Sequence, residues 1–139
     1  MIREWLYIEP YKWDVQVFLD AKAKDAREIL DALEDIGINA AQFMRAQRHL
    51  QKAVRNSGMT YSSGVNRESV VVIGQSSSKQ EALNTFSHEL RHLVDDIASA
   101  NGIASSGEEV AYLTGNIALG LASCLFSVVC ECPICSSHQ

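Results

Sequence analysis

The residues that decide the fold lie between Asn84 and Ile97, where the chain reads NTFSHELRHLVDDI. The stretch belongs to a longer segment, from about Lys79 to Asn101, in which apolar side chains recur every three or four residues: Leu83, Phe86, Leu90, Leu93, Val94 and Ile97. This period predicts an amphipathic helix, with Gly102 at its C-terminal cap. His88 and His92 are four residues apart, so both imidazole rings project from one face of the helix.

The pair His88 and His92 is suited to bind a metal ion, because two imidazoles one helical turn apart can occupy two corners of a tetrahedral zinc site. Glu89 completes an HExxH pattern, in which this carboxylate acts as general base on a metal-activated water. A catalytic zinc needs a third protein ligand and an open fourth position. The alternative is a pair of polar residues on an exposed helix face, which the clear helical context disfavours.

The third ligand is predicted on the next helix, because the first histidine after His92 is His138, close to the end of the sequence. Glu108 and Glu109 lie sixteen and seventeen residues after His92. They cannot both point at one site, so we favour Glu108 as the ligand and keep Glu109 as the alternative. An acid in the first turn of a helix is also favourable without any metal.

Two further acids follow the histidine pair. Asp95 and Asp96 come three and four residues after His92. Either carboxylate could accept a hydrogen bond from the ring of a metal-binding histidine, and an acidic pair exposed to solvent is an equal alternative. Arg91 and Asp95 have the spacing of an ion pair within one helix.

The whole chain predicts an α+β fold with the order β-α-α-β-β-α-α. Strands are expected at 13–19, 59–62 and 69–73, and helices at about 22–36, 40–55 and 79–101, with a last helix opening at 105–107. We expect one domain over residues 1–129, followed by a Cys-rich tail at 130–139. The run from Val110 to Cys130 lacks formal charge and has the length of a membrane span, but its polar interruptions favour a buried core helix.

Composition limits the choice of partners and location. The chain has 139 residues and a formal net charge of -5. Its basic residues form no block apart from a scattered set on one predicted helix, which argues against nucleic acid as a partner. That set is Arg45, Arg48, Lys52 and Arg55. The charged N-terminus lacks the apolar core of a signal peptide, so we expect a cytoplasmic location in a bacterium or a phage-infected cell.

The four cysteines all lie in the last sixteen residues. A disulfide framework would spread them along the chain, so reduced thiols are the better interpretation. Cys124 is expected to be a buried apolar residue. Cys130, Cys132 and Cys135, with His138, could bind a soft metal, although one Cys-x-x-Cys pair is only half of a structural zinc site.

The segment from Asn84 to Ile97, followed by GEEVAYLTG at residues 107–115, resembles the small gluzincin-type zinc metallopeptidases of phages and mobile elements. The resemblance covers roughly residues 58–120. In gluzincins, a Glu on the helix after the HExxH helix completes the zinc site, which implies Glu108 here. The resemblance also implies a small zincin-like domain, with a short mixed or antiparallel sheet on the two helices, an edge strand that aligns an extended peptide, and residues 70–73 in that sheet.

The residues and the resemblance together predict a zinc-dependent hydrolase that cleaves peptide bonds in peptides or proteins. Oxyanion stabilisation is expected from Tyr112, Tyr61 or His49. A non-catalytic binding or regulatory module, stabilised by metal on a zincin scaffold, is the alternative. Glu89 favours the enzyme, because a structural zinc site needs no base and is usually closed by four protein ligands. Association with a membrane through the apolar C-terminal segment is a third, less favoured possibility.

Overall fold

Four strands form one mixed sheet in a computed structural model that describes residues 1–129. They are β1 (Ile2–Ile8), β2 (Trp13–Ala21), β3 (Gly58–Ser63) and β4 (Glu68–Gly74). Their order across the sheet is β1-β2-β4-β3. The central pair β2 and β4 is parallel, and each outer strand pairs with its neighbour antiparallel. The predicted α+β class and the mixed sheet are therefore confirmed.

Five helices cover the two faces of this sheet. They are α1 (Ala26–Ile36), α2 (Ala40–Lys52), α3 (Lys79–Ala100), α4 (Glu108–Gly120) and α5 (Ala122–Val129). Because successive strand residues point to opposite faces, β2 and β4 contribute to two cores. Trp13, Val15 and Val17 pack with α3, α4 and α5, whereas Phe18, Val70 and Val72 pack with α1 and α2.

Most predicted elements are confirmed within a few residues; the differences concern β1, the end of α2, one side chain of α3 and the last helix. Strand β1 has no predicted counterpart: apolar and polar residues do not alternate along IREWLYI, and four of its seven residues are exposed. Helix α2 ends at Lys52, where Ala53 adopts a left-handed conformation with φ 49°, so Arg55 lies beyond the helix. Leu83, expected on the inner stripe of α3, is 48% exposed.

The predicted single helix from Val110 to Cys130 is wrong over the part described. It breaks at Leu121 into α4 and α5, which are bent by 62°. Only one side of the pair is buried: Tyr112, Leu119 and Phe126 remain at least half exposed, whereas Cys124 lies in the core as expected. Within residues 1–129, no single helix is long and apolar enough to cross a membrane, although the bent pair meets that test by length and composition.

The strand that borders the HExxH helix is β3. Helix α3 lies alongside it, with Thr85 and Glu89 near Gly58 and with Ala100 near Gly64. Residues 70–73 belong to the sheet as expected, but they form the interior strand β4. Among the described residues, β3 pairs with β4 alone, so its outer edge is open. The predicted Cys-rich tail, with Cys130, Cys132, Cys135 and His138, lies outside the described residues.

Candidate metal centre

Helix α3 brings the two histidine rings together. The helix starts at Ser78, whose hydroxyl accepts a hydrogen bond from the backbone N–H of Glu81 and so caps the first turn. Further along the helix, His88 and His92 are one turn apart, and their Nε2 atoms are 3.1 Å from each other. Both side chains are exposed. The helix therefore presents two converging nitrogens to solvent.

The separation of these nitrogens fits a shared metal ion. Two imidazoles at tetrahedral zinc, each about 2.0–2.1 Å from the metal, place their nitrogens roughly 3.3 Å apart. The 3.1 Å between the His88 and His92 nitrogens is close to that value. One protonated and one bare nitrogen can also form a hydrogen bond at this distance. The donor chemistry and the spacing are both those of half of a zinc site.

Glu89 lies beside this pair but is buried, with only 4% of its surface exposed. Its Oε1 accepts a hydrogen bond of 2.8 Å from the Thr60 hydroxyl on β3. A methyl group at Gly58 would lie 2.9 Å from Glu89 Cγ and 2.6 Å from the backbone oxygen of Val72. Such contacts are too short, so the absence of a side chain at Gly58 is what lets the strand approach Glu89.

A cleft of about 290 Å³ opens next to the carboxylate. Its walls come from the start of β3 and from one side of α3: Asn56, Ser57, Gly58, Asn84, Thr85, His88 and Glu89. His49 on α2 reaches its rim through a 3.3 Å contact with Ser57. His88 and Glu89 thus line the same solvent-connected cleft.

Polar groups continue along α3 past the histidines. Asp96 accepts a hydrogen bond of 2.7 Å from Ser62 on β3, and Ser62 lies 2.6 Å from Ser69, which accepts one from the Trp13 indole. Burial raises the pKa of Asp96, while the Ser62 hydrogen bond and the charge of His92 act in the opposite direction. Asp95 forms the predicted ion pair with Arg91, at 3.0 Å.

These contacts define the partners of the two aspartates. Asp95 pairs with Arg91, and Asp96 accepts a hydrogen bond from Ser62. Within residues 1–129, neither carboxylate is hydrogen-bonded to a histidine ring. Sequence reasoning missed Gly58, Thr60 and Ser62. The available signal was the alternation of β3, which places Thr60 and Ser62 on one face, but the sequence did not indicate that this face meets α3.

The two glutamates predicted as third ligands differ in their contacts. Glu109 accepts a 3.0 Å hydrogen bond from the Tyr11 hydroxyl, and burial together with Glu109 raises the pKa of Tyr11. Glu108 is exposed at the first residue of α4. Over residues 1–129, no third His, Cys, Asp or Glu joins the histidines in a group arranged to hold a metal. Glu108 as third ligand stays a prediction.

The predicted oxyanion stabilisers are not gathered at the cleft. Tyr112 is 69% exposed on α4, and Tyr61 packs against the core on the α1–α2 side of the sheet, opposite α3. His49 comes nearest, through Ser57.

Comparison with protein-family models, with curated proteins and with solved structures finds no match for this chain.

Proposed function

We propose that this chain is a zinc-dependent peptidase with a zincin-like site. The observation that carries the proposal is the convergence of the His88 and His92 nitrogens, 3.1 Å apart, beside the carboxylate of Glu89 on the same helix. A purely structural metal site has no need of a general base and is usually closed by four protein ligands. The chemistry of these three side chains supports the assignment.

The metal would be held by His88, His92 and a third donor, for which we propose Glu108. Helix α4 packs against α3, and Glu108 is its first residue. A zinc ion bound there would polarise a carbonyl group and lower the pKa of a water molecule to near 7. Glu109 is less suited to the role, because its carboxylate already binds the Tyr11 hydroxyl.

Glu89 is the proposed general base. Its Oε1 is engaged by Thr60, which fixes the orientation of the carboxylate and leaves Oε2 to receive a proton from a water in the cleft. Glu89 would then return this proton to the amine that leaves when the peptide bond breaks. The burial of Glu89 keeps competing solvent away from the carboxylate during this transfer.

The open edge of β3 is the proposed substrate platform. An extended peptide can add to a free strand edge through main-chain hydrogen bonds. Gly58 and Thr60 of this strand contact Glu89, so a peptide lying along β3 would pass over the cleft that contains His88 and Glu89. This arrangement matches the role that an edge strand has in zincin folds.

The test compares Glu89→Gln with His92→Ala, both incubated with zinc, measured for bound metal and assayed on a mixture of internally quenched peptides. Glu89→Gln should keep the metal and lose about 10²- to 10⁴-fold in turnover, because only the base is removed. His92→Ala should lose both metal and turnover. Glu81→Gln, a carboxylate-to-amide change in the first turn of the same helix, should behave as wild type.

Two outcomes would contradict the proposal. Full zinc occupancy in His92→Ala would remove this residue from the ligand set. Undiminished turnover in Glu89→Gln would remove the general base.

The second candidate function is a metal-stabilised binding module without turnover. The observation in its favour is the 2.8 Å hydrogen bond between Thr60 and the buried Glu89, which also serves to join β3 to α3. For such a module, Glu89→Gln changes stability, and the wild-type chain cleaves none of the peptides.

A further inference from the structure

Helix α2 carries an unbalanced positive charge. Among its thirteen residues are Arg45, Arg48 and Lys52 but no acid, in a chain whose formal net charge is -5. All three cations are exposed, and the structure shows no ion pair for them within residues 1–129. They are spaced three and four residues apart, so they share one helix face.

This face borders the open strand edge. A recess of about 320 Å³ lies between α2 and β3, and none of the described residues that line it carries a carboxylate. Its walls are formed by Arg45, Arg48, His49, Lys52, Val54 and Tyr61. Tyr61 belongs to β3, so the cations stand next to the same edge that we propose as the substrate platform.

The side chains of β3 alternate between two environments. Thr60 and Ser62 contact α3, whereas Met59 and Tyr61 pack on the side of α2. A peptide paired with this edge alternates in the same way, because residues opposite each other in a sheet share a face. Every second side chain of a bound peptide is therefore directed toward α3 and its histidines, and the others toward the cations of α2.

We propose that the α2 side of this edge selects peptides with acidic side chains at alternate positions. This proposal rests on one part of the proposed function, namely that a peptide substrate binds along the edge of β3. Charge complementarity supports it: Arg45, Arg48 and Lys52 have no acidic partner among the described residues, and alternate Asp or Glu side chains would supply one. Such exposed contacts weaken as salt rises.

The experiment measures peptide binding by fluorescence anisotropy, with zinc-loaded Glu89→Gln as the background so that the peptide stays intact. One labelled ten-residue peptide alternates Glu with Thr, and its isostere alternates Gln with Thr. We expect the Glu peptide to bind about tenfold more tightly, from a few exposed charge pairs. Arg45→Gln/Arg48→Gln should abolish this difference. The matched control Lys12→Gln/Arg27→Gln, with the same change in net charge at other exposed positions, should retain it.

Three results would overturn the proposal. These are equal binding of the two peptides, an equal loss in the control variant, or tighter binding of a single-stranded oligonucleotide through the same arginines. The outcome for the proposed function is separate. Cleavage of quenched peptides by the wild-type chain without a preference for acid retains the peptidase and rejects the selectivity. A Glu preference in binding, with no cleavage by wild type, retains the acidic-peptide surface and rejects the peptidase.

Discussion

At the scale of single residues, Gly58 and Asp96 show how closely strand and helix are fitted. Gly58 allows β3 to approach Glu89 at a distance that a methyl group would prevent. Asp96 is a carboxylate drawn into partial burial by its hydrogen bond to Ser62. The HExxH pattern predicted the candidate metal ligands and the candidate base. It did not predict the contact of Gly58 with Glu89 or that of Ser62 with Asp96, because each joins residues that are distant in sequence.

Gly58→Ala should destabilise the protein and disturb Glu89. The added methyl group would meet the backbone oxygen of Val72 at 2.6 Å, and that backbone cannot give way easily. We expect a loss of about 1–3 kcal/mol in the free energy of unfolding, as for other overpacked sites. Urea titration measures it.

Gly115→Ala is the matched control for this change. Nothing lies within 4 Å of a methyl group at Gly115, which is inside α4. It should raise stability by about 0.5–1 kcal/mol. Equal effects at the two glycines would argue against the close fit at Gly58.

Comparison with Asp96→Asn should show that the ionisation of Asp96 lowers the stability of the wild-type protein as pH rises. Burial raises the pKa of Asp96 above its ordinary value of 3.8, so the folded state binds the proton more readily than the unfolded state. The contribution of this group is therefore largest at low pH and declines as pH rises from about 3.8 through the folded-state pKa. The asparagine side chain carries no charge, and its amide oxygen can still accept the hydrogen bond from the Ser62 hydroxyl.

The stability of Asp96→Asn relative to wild type should accordingly increase across that interval and then become constant. Urea unfolding between about pH 3.5 and pH 7 follows the difference. A difference that falls with pH would contradict the raised pKa.

At the scale of elements, α3 and β3 are joined by the hydrogen bonds of Thr60 to Glu89 and of Ser62 to Asp96. The periodic apolar residues of α3 and the expected cap at Gly102 were sufficient to predict the helix and to place His88 and His92 on one face. The partnership with β3 was beyond the sequence, because strand order is set by long-range packing. The break between α4 and α5 was missed for a related reason: absence of charge says nothing about where a helix bends.

Thr60→Val should weaken the junction between the two elements. It removes the hydroxyl that binds Glu89 Oε1 and leaves a buried carboxylate oxygen without that partner. We expect a loss of about 1.5–3 kcal/mol in the free energy of unfolding, the range for a hydrogen bond to a charged group. Thr60→Ser keeps the hydroxyl and should lose much less. Equal losses in the two variants would mean that packing, not the hydrogen bond, joins Thr60 to α3.

At the scale of the whole molecule, the proposed zinc site predicts that metal binding and folding are linked. His88 and His92 converge only when α3 is formed, so zinc should bind the folded state in preference to the unfolded chain. The linkage lets the ligands be tested without any substrate.

Zinc at about 100 times its dissociation constant should stabilise the folded chain by about 2.7 kcal/mol. The gain should persist in Glu89→Gln and vanish in His88→Ala/His92→Ala, as followed by thermal unfolding with and without a chelator. The comparison is made with Cys130, Cys132 and Cys135 replaced by Ser, which removes competing thiolates. A zinc-dependent gain that survives loss of both histidines would contradict the site.

The hydrogen-bonded chain from Asp96 to Trp13 has a spectroscopic consequence. The Trp13 indole is fully buried and donates to Ser69, which lies 2.6 Å from Ser62, the donor to Asp96. The second tryptophan, Trp5, is 63% exposed on β1. The chain therefore contains one tryptophan that is shielded from aqueous quenchers and linked by hydrogen bonds through Ser69 and Ser62 to α3, and one that such quenchers can reach. The intrinsic tryptophan fluorescence of the protein can therefore report separately on α3, through Trp13, and on the β1 edge of the sheet, through Trp5.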